Sequence, residues 1–348
     1  MRWRKLSRET QAISNKTVIF LAVVTLFPVC GFAQTASLVE QARKEGGEVV
    51  LYTTMPVTLF DIFQKAAKEK YPFLNIRHTY LSSSRQVSRV MLEHRAGKIQ
   101  ADVLGNSLEG IYYYKDQKLL GRYDSPEIKA MIDGAADPDR LWFGMTTDFL
   151  ISAYNTRMWS RAKTPKNYDD YLNPEFKGQM AMNIGVPYAL TGMVSLRGEE
   201  QGRAFVKKLE QQNLRPVEGF THITNLLAAG EYPLAIFMQA SKIEDMKKKG
   251  APVEWLPAAP TFATLSAVAM VQSPSHPAAA RLLIDFFLSA EGQQALVQAG
   301  KIPLRKGVKT PAKNIDELLA GGNLHVIKPQ GEYSDSMKLY RQLLGMKS

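Results

Sequence analysis

The chain has 348 residues, of which 45% are hydrophobic and 22% charged, with a formal net charge of +11. That composition belongs to a globular chain and excludes collagen-like, disordered and polytopic membrane proteins. A single hydrophobic core stops growing near this length, so two lobes are expected.

The charge is uneven at the start. Arg2, Arg4, Lys5, Arg8 and Lys16 stand against Glu9 alone, and an apolar run from Thr17 to Val29 leads to the small exit Gly31-Phe32-Ala33. This order predicts a secretory signal peptide over 1–33, cleaved near Ala33. The run falls short of the roughly 20 residues that span a bilayer. Cys30 is the only cysteine, and Phe27-Pro28-Val29 is a poor approach to a lipidated one. Cleavage at Ala33 therefore leaves no thiol, which excludes a disulfide, a cysteine nucleophile and a thiolate metal site. It also lowers the formal charge to about +7. The longest basic run, Lys247–Lys249, reads as a solvated helix face, and nucleic-acid binding is not expected.

Short β-rich runs then alternate with amphipathic stretches. Glu48–Tyr52 predicts a strand, followed by a loop holding Thr53 and Thr54 and by a helix over 59–70. Asn75–Tyr80 predicts a second strand, Ser82–Ser84 a helix cap, and 86–96 a helix. Asp102–Leu104 is a third strand, ending in a Gly105-Asn106-Ser107 loop before the helix that carries Tyr112, Tyr113 and Tyr114. Successive strand–loop–helix units imply a mostly parallel sheet covered on both faces. A second series follows. Phe149–Tyr154, Met180–Ile184 and Leu234–Met238 read as strands, and 201–211 and 223–229 as helices. The proline-rich stretch 252–260 interrupts the pattern before Leu265–Val271 and a helix over 277–288. Crossings near 141–149 and 257–266 would make a hinge.

Several segments resemble bacterial extracellular solute-binding proteins. They are Ser273–Gln293 (SPSHPAAARLLIDFFLSAEGQ), Gly300–Arg305 (GKIPLR), Ala101–Leu104, Lys118–Tyr123 (KLLGRY) and Tyr168–Gly178 (YDDYLNPEFKG). The branch they resemble includes binders of ferric ion, phosphonates and sugar phosphates. The resemblance implies a two-lobed α/β periplasmic-binding-protein fold, type II-like, with a mixed, mostly parallel sheet in each lobe and a two-crossing hinge. The first lobe is expected over 34–145 and 264–348, and the second over 146–263. It further implies a monomer in the periplasm that holds a small-molecule or oxyanion ligand in the interlobe cleft. That ligand would be delivered to the permease subunits of an ABC importer.

Polar loops after strands are the candidate ligand contacts. In the first lobe these are Thr53, Thr54, Ser83, Ser84, Arg85 and Asn106; hydroxyls at a helix start donate to oxyanions, and an arginine pairs with one in bidentate fashion. In the second lobe they are Tyr188, Thr191, Thr221 and Gln239. Each also has an ordinary structural role, Ser83 and Ser84 as capping residues above all.

Family members that bind ferric ion use an adjacent tyrosine pair in the second lobe, where this chain reads Ile236-Phe-Met-Gln-Ala240. An anionic organic solute is therefore expected ahead of iron, with no cofactor and no metal. A ligand-sensing protein that addresses a membrane kinase is the other alternative. No Walker loop or His-Glu-x-x-His motif is present, and Gly105–Gly110 misses nucleophile-elbow spacing by one residue, so no enzyme activity is expected.

Overall fold

The structure, a computed structural model, describes residues 30–321, 323–329 and 333–346. The predicted signal peptide falls mostly on 1–29, outside the described residues. Ala33 lies within α1 (Cys30–Lys44). The chain continues through β1 (Glu48–Thr53), α2 (Val57–Lys70), β2 (Asn75–Tyr80), α3 (Ser83–Arg95), β3 (Val103–Ser107) and α4 (Leu108–Asp116). The long strand β4 (Phe143–Asn155) leads to β5 (Met180–Asn183), α5 (Tyr188–Arg197), α6 (Glu199–Glu210), β6 (Arg215–Val217) and α7 (Phe220–Ala229). Next come β7 (Leu234–Gln239), α8 (Ala240–Lys248) and a second long strand, β8 (Val253–Met270). The chain finishes with α9 (Pro277–Leu288), α10 (Ala290–Gln298), α11 (Lys313–Gly321), β9 (Leu324–Val326) and α12 (Tyr333–Leu343). Among the described residues, no helix is long and apolar enough to cross a membrane.

The strands form one sheet in the order β2-β1-β3-β8-β4-β7-β5-β6, with β9 added beside β8. The order has internal symmetry. β1 lies parallel to β2 and β3, and β5 lies parallel to β6 and β7. Each trio meets one long antiparallel strand, β8 on the first and β4 on the second, and these two pair with each other. All four residues of β5 are buried, as in a parallel strand covered on both faces. In α2 the buried Phe60, Phe63 and Ala67 recur at helical spacing, and Phe63 stacks on Phe287 of α9 at 4.1 Å. The fold is two-lobed α/β, and its two half-sheets are joined into one by the β4–β8 pair.

The cores change along both long strands. On β4, Phe143 and Met145 pack in the first core, whereas Phe149 and Leu150 belong to others. On β8 the change falls between Ala263 and Leu265. Polar side chains fill the step: Thr147 donates to the Thr264 carbonyl at 3.1 Å, and Thr264 donates to that of Asp148 at 3.3 Å.

The sequence expectations differ from the structure in several places. The proline-rich stretch does not end a strand, because β8 runs through it. A register shift between Leu150 and Ile151 accommodates the extra residues around the cis Ala259–Pro260 bond, and proline is tolerated in such irregularities. β3 continues through the expected Gly105–Ser107 loop, paired with β8 to its end. Helices α1, α5, α10, α11 and α12 and strands β6 and β9 were not foreseen, and α8 was anticipated only at its Lys247–Lys249 end. Finally, α12 does not join the first core as the 264–348 boundary implies. Its Tyr340 is fully buried in the second core and donates to the Asn183 carbonyl at 3.2 Å.

One backbone feature stands out in β7. Phe237 has φ 53°, a left-handed conformation that a bulky side chain adopts only when its surroundings impose it. It occupies a bulge opposite Ser152, where Ile151 pairs with Met238 and Ala153 with Ala235. Its ring lies parallel to Tyr168 at 5.7 Å and edge-on to Tyr171 at 5.5 Å.

Candidate ligand cleft

Three strands end where a helix begins: β2 before α3, β3 before α4, and β5 before α5. At the three starts, Ser82, Ser107 and Pro187 make no side-chain capping bond. The first N–H groups of α3 and α5 therefore have no capping side chain and the positive ends of their dipoles stay available, whereas at α4 the Glu109 carboxyl bonds its own backbone N–H.

A cavity of about 630 Å³ opens beside them. Ser83, Ser84, Val87 and Ser88 of α3 form one wall, and Ser107 with Glu109, Gly110, Tyr112, Tyr113 and Asp116 of α4 forms another. Tyr188, at the start of α5, and Pro329 close it from across. The α3 and α4 walls grow from the first core, while Tyr188 packs against the second. Tyr188 also stacks on Phe220 of α7 at 6.2 Å.

The electrostatics are mixed. No lysine or arginine lines the cavity, and two carboxyls do. Burial pushes the Glu109 carboxyl above the usual carboxylate range, against the opposing hydrogen bonds of its own backbone N–H and Ser107. Burial also pushes the Tyr112 phenol up. Among the described residues, no group of three or more histidine, cysteine or acidic side chains is arranged to hold a metal ion. A second cavity, about 400 Å³, is more basic, but Arg305 is already paired with Glu127 at 2.6 Å and Lys306 with Asp133 at 3.4 Å.

Of the ten residues expected to touch ligand, Ser83, Ser84 and Tyr188 line this cavity. Thr53 and Asn106 do not reach it. Thr53 is fully buried, with its hydroxyl 2.8 Å from His78 Nε2. Asn106 is likewise buried and donates to Gln86 Oε1 at 2.9 Å, because β3 carries it inward where a loop would have left it free. The Cβ of any residue replacing Gly110 would lie 2.6 Å from the Asn106 amide, so glycine is required for that close approach. Thr54 donates its backbone N–H to Gly105, and the Thr191 hydroxyl bonds back to the Pro187 carbonyl. Arg85 and Thr221 are exposed in the first turns of α3 and α7, and Gln239 is the residue before α8; none of the three lines the cavity.

Sequence reasoning missed Glu109, Asp116, Tyr112 and Tyr113 as lining residues. Their spacing was the available signal: they fall at i, i+3, i+4 and i+7 and so share one face of α4. Tyr114, between these and off that face, is core, fully buried and donating to Gln86 Oε1 at 3.1 Å.

A cavity between two α/β lobes that are joined by a pair of crossing strands defines a two-lobed binding protein. The chain belongs to the bacterial extracellular solute-binding protein family, whose model matches residues 111–328. A curated relative from Haemophilus influenzae, described only as uncharacterized, is 24% identical over 303 residues, covering 81% of this chain and 83% of its own. A second, from Salmonella typhimurium, is 23% identical over 265 residues, covering 73% of this chain and 74% of its own. Its name is "Putative 2-aminoethylphosphonate-binding periplasmic protein". Among solved structures, iron-bound HitA from Pseudomonas aeruginosa aligns with TM-score 0.68 and 19% identity, covering 85% of this chain and 99% of that one. The ferric binding protein from Campylobacter jejuni aligns with TM-score 0.65 and 22% identity, over 85% and 97%. At these identities the structural likeness establishes the fold.

Proposed function

We propose that this chain is the substrate-binding component of an ABC importer. It is exported to the periplasm, works as a monomer, captures a small solute bearing an anionic group, and hands it chemically unchanged to the membrane permease. The first lobe comprises 34–145 and the segment from 264 through α10; the second comprises 146–263 with α12 added. β4 and β8 are the hinge between them.

The observation that carries this reading is the meeting, around one cavity, of the uncapped starts of α3 and α5, which belong to two different cores. Free N–H groups at helix starts attract oxyanions, and a solute held from both sides favours the closed arrangement of the lobes. The name of the Salmonella relative makes an alkylphosphonate a natural candidate. A ferric ion is the second reading, favoured by Tyr112, Tyr113, Tyr188 and Glu109 at the same cavity.

Thermal melts of the mature protein with inorganic phosphate, ethylphosphonate, 2-aminoethylphosphonate and ferric citrate test both readings. A true solute at one hundred times its dissociation constant stabilises the folded state by about 2.7 kcal/mol. Bound iron would add a visible tyrosinate band. Melts unchanged by every probe, or chemical conversion of any of them, would contradict the proposal.

A further inference from the structure

We infer that the cleft recognises a protonated amine through Glu109, so that its solute is a small zwitterion with an anionic head at one end and an ammonium group at the other. This rests on the reading of the cavity as the solute site and goes beyond it in naming the second charge.

The face of α4 toward the cavity carries two carboxyls and two phenol rings within two turns, Glu109, Tyr112, Tyr113 and Asp116. Among the described residues neither carboxyl takes part in a salt bridge, while the adjacent Lys115 is committed elsewhere, to Asp137 at 2.7 Å and Asp139 at 3.2 Å. An acid beside a helix start has an ordinary role as partner of the dipole, and Glu109, second in α4, fits it. That role does not extend to Asp116, the last residue of the helix, where the dipole disfavours a negative charge. The acidity of this wall therefore has no explanation within the helix itself.

Glu109 is also half-buried, and burial raises its pKa although Ser107 and a backbone N–H both favour the carboxylate. A buried acid with no cationic partner is costly, and a ligand ammonium supplies that partner. The rings of Tyr112 and Tyr113 add the aromatic faces that attract organic cations. The neighbouring α3 wall has the other polarity, with the Ser83 and Ser84 hydroxyls beside the uncapped start of α3. A purely anionic solute would meet no cationic side chain anywhere in this lining and would face two acids. A zwitterion matches both walls.

Matched pairs test this by calorimetric titration of the mature protein: 2-aminoethylphosphonate against ethylphosphonate, and β-alanine against propionate. The aminated member of a pair is expected to bind at least tenfold tighter, and Glu109→Gln to remove most of that preference, read as the ratio of the two dissociation constants measured on the same variant. Asp116→Asn, at an exposed position where misfolding is not expected, should reduce the preference severalfold. Equal binding of both members, or a preference intact in both variants, overturns the inference while the solute-cleft reading stands. Binding of ferric ion with no aminated probe bound overturns it as well. No binding of any probe defeats the cleft reading and the inference together.

Discussion

Asp148 of β4 holds the start of α8 through Ser241: its Oδ1 accepts from the Ser241 backbone N–H at 3.2 Å, and its other oxygen accepts from the Ser241 hydroxyl. Oδ1 also accepts from the Phe149 N–H at 2.9 Å. Burial pushes this carboxyl upward, and the Ser241 donors pull it back. The site lies where β4 passes between cores, so the same residue ties the crossing strand to a helix beyond it. Asp148→Ala leaves these donors unsatisfied and should cost about 1–3 kcal/mol. Asp148→Asn, which keeps one acceptor, should cost less. Urea unfolding read at constant m-value checks the order.

A buried carboxyl and a half-buried imidazole make opposite demands on pH. Asp285 accepts from Tyr123 at 2.7 Å and Ser125 at 2.5 Å, and burial raises its pKa from 3.8 to about 6. The folded state then binds more protons than the unfolded state between those values, so stability falls as pH rises through that window. His78, stacked on Phe60 at 3.9 Å, is pushed by burial from 6.5 down to about 4. Here the unfolded state binds more protons, so stability rises with pH over nearly the same range. The two trends offset each other. Relative to wild type between about pH 4 and 6, the stability slope of Asp285→Asn should turn more positive and that of His78→Gln more negative. Denaturant melts at pH 4, 5 and 6 measure this directly.

Phe237 should reverse the ordinary ranking of alanine and glycine. Removing its ring from the stack with Tyr168 and Tyr171 costs about 3–5 kcal/mol in either variant. In regular strands glycine is the worse replacement by roughly 0.5–1 kcal/mol. At φ 53° the left-handed backbone penalises alanine instead, by roughly 1–2 kcal/mol. Phe237→Gly should therefore melt at or above Phe237→Ala; a clearly lower melt would show that the bulge relaxes when the ring is lost.

Much of the fold was legible in the sequence because the local signals were strong. Asn75–Tyr80 and Pro277–Leu288 coincide with β2 and α9, and in the helix an N-terminal proline sets the start. Legibility failed where tertiary pairing overrode local chemistry. Prolines 257 and 260 argue against a strand, yet β4 and β9 on its two sides hold β8 through them. Asn106 reads as a loop residue until β8 pairs with β3 and turns its amide onto Gln86. In the cavity, the serines were found because hydroxyls at a helix start are a local pattern. The acids and phenols of α4 were not, because membership of a wall depends on what packs opposite, and Tyr188 and Pro329 are far away in sequence.

Small-angle scattering of the mature chain, free and saturated with whichever probe most raises its melting temperature, bears most directly on capture between lobes that turn about β4 and β8. The account predicts a smaller radius of gyration with ligand, and loss of that compaction when Tyr188→Ala removes the contact from the far side. A profile identical with and without a ligand that demonstrably binds would contradict it.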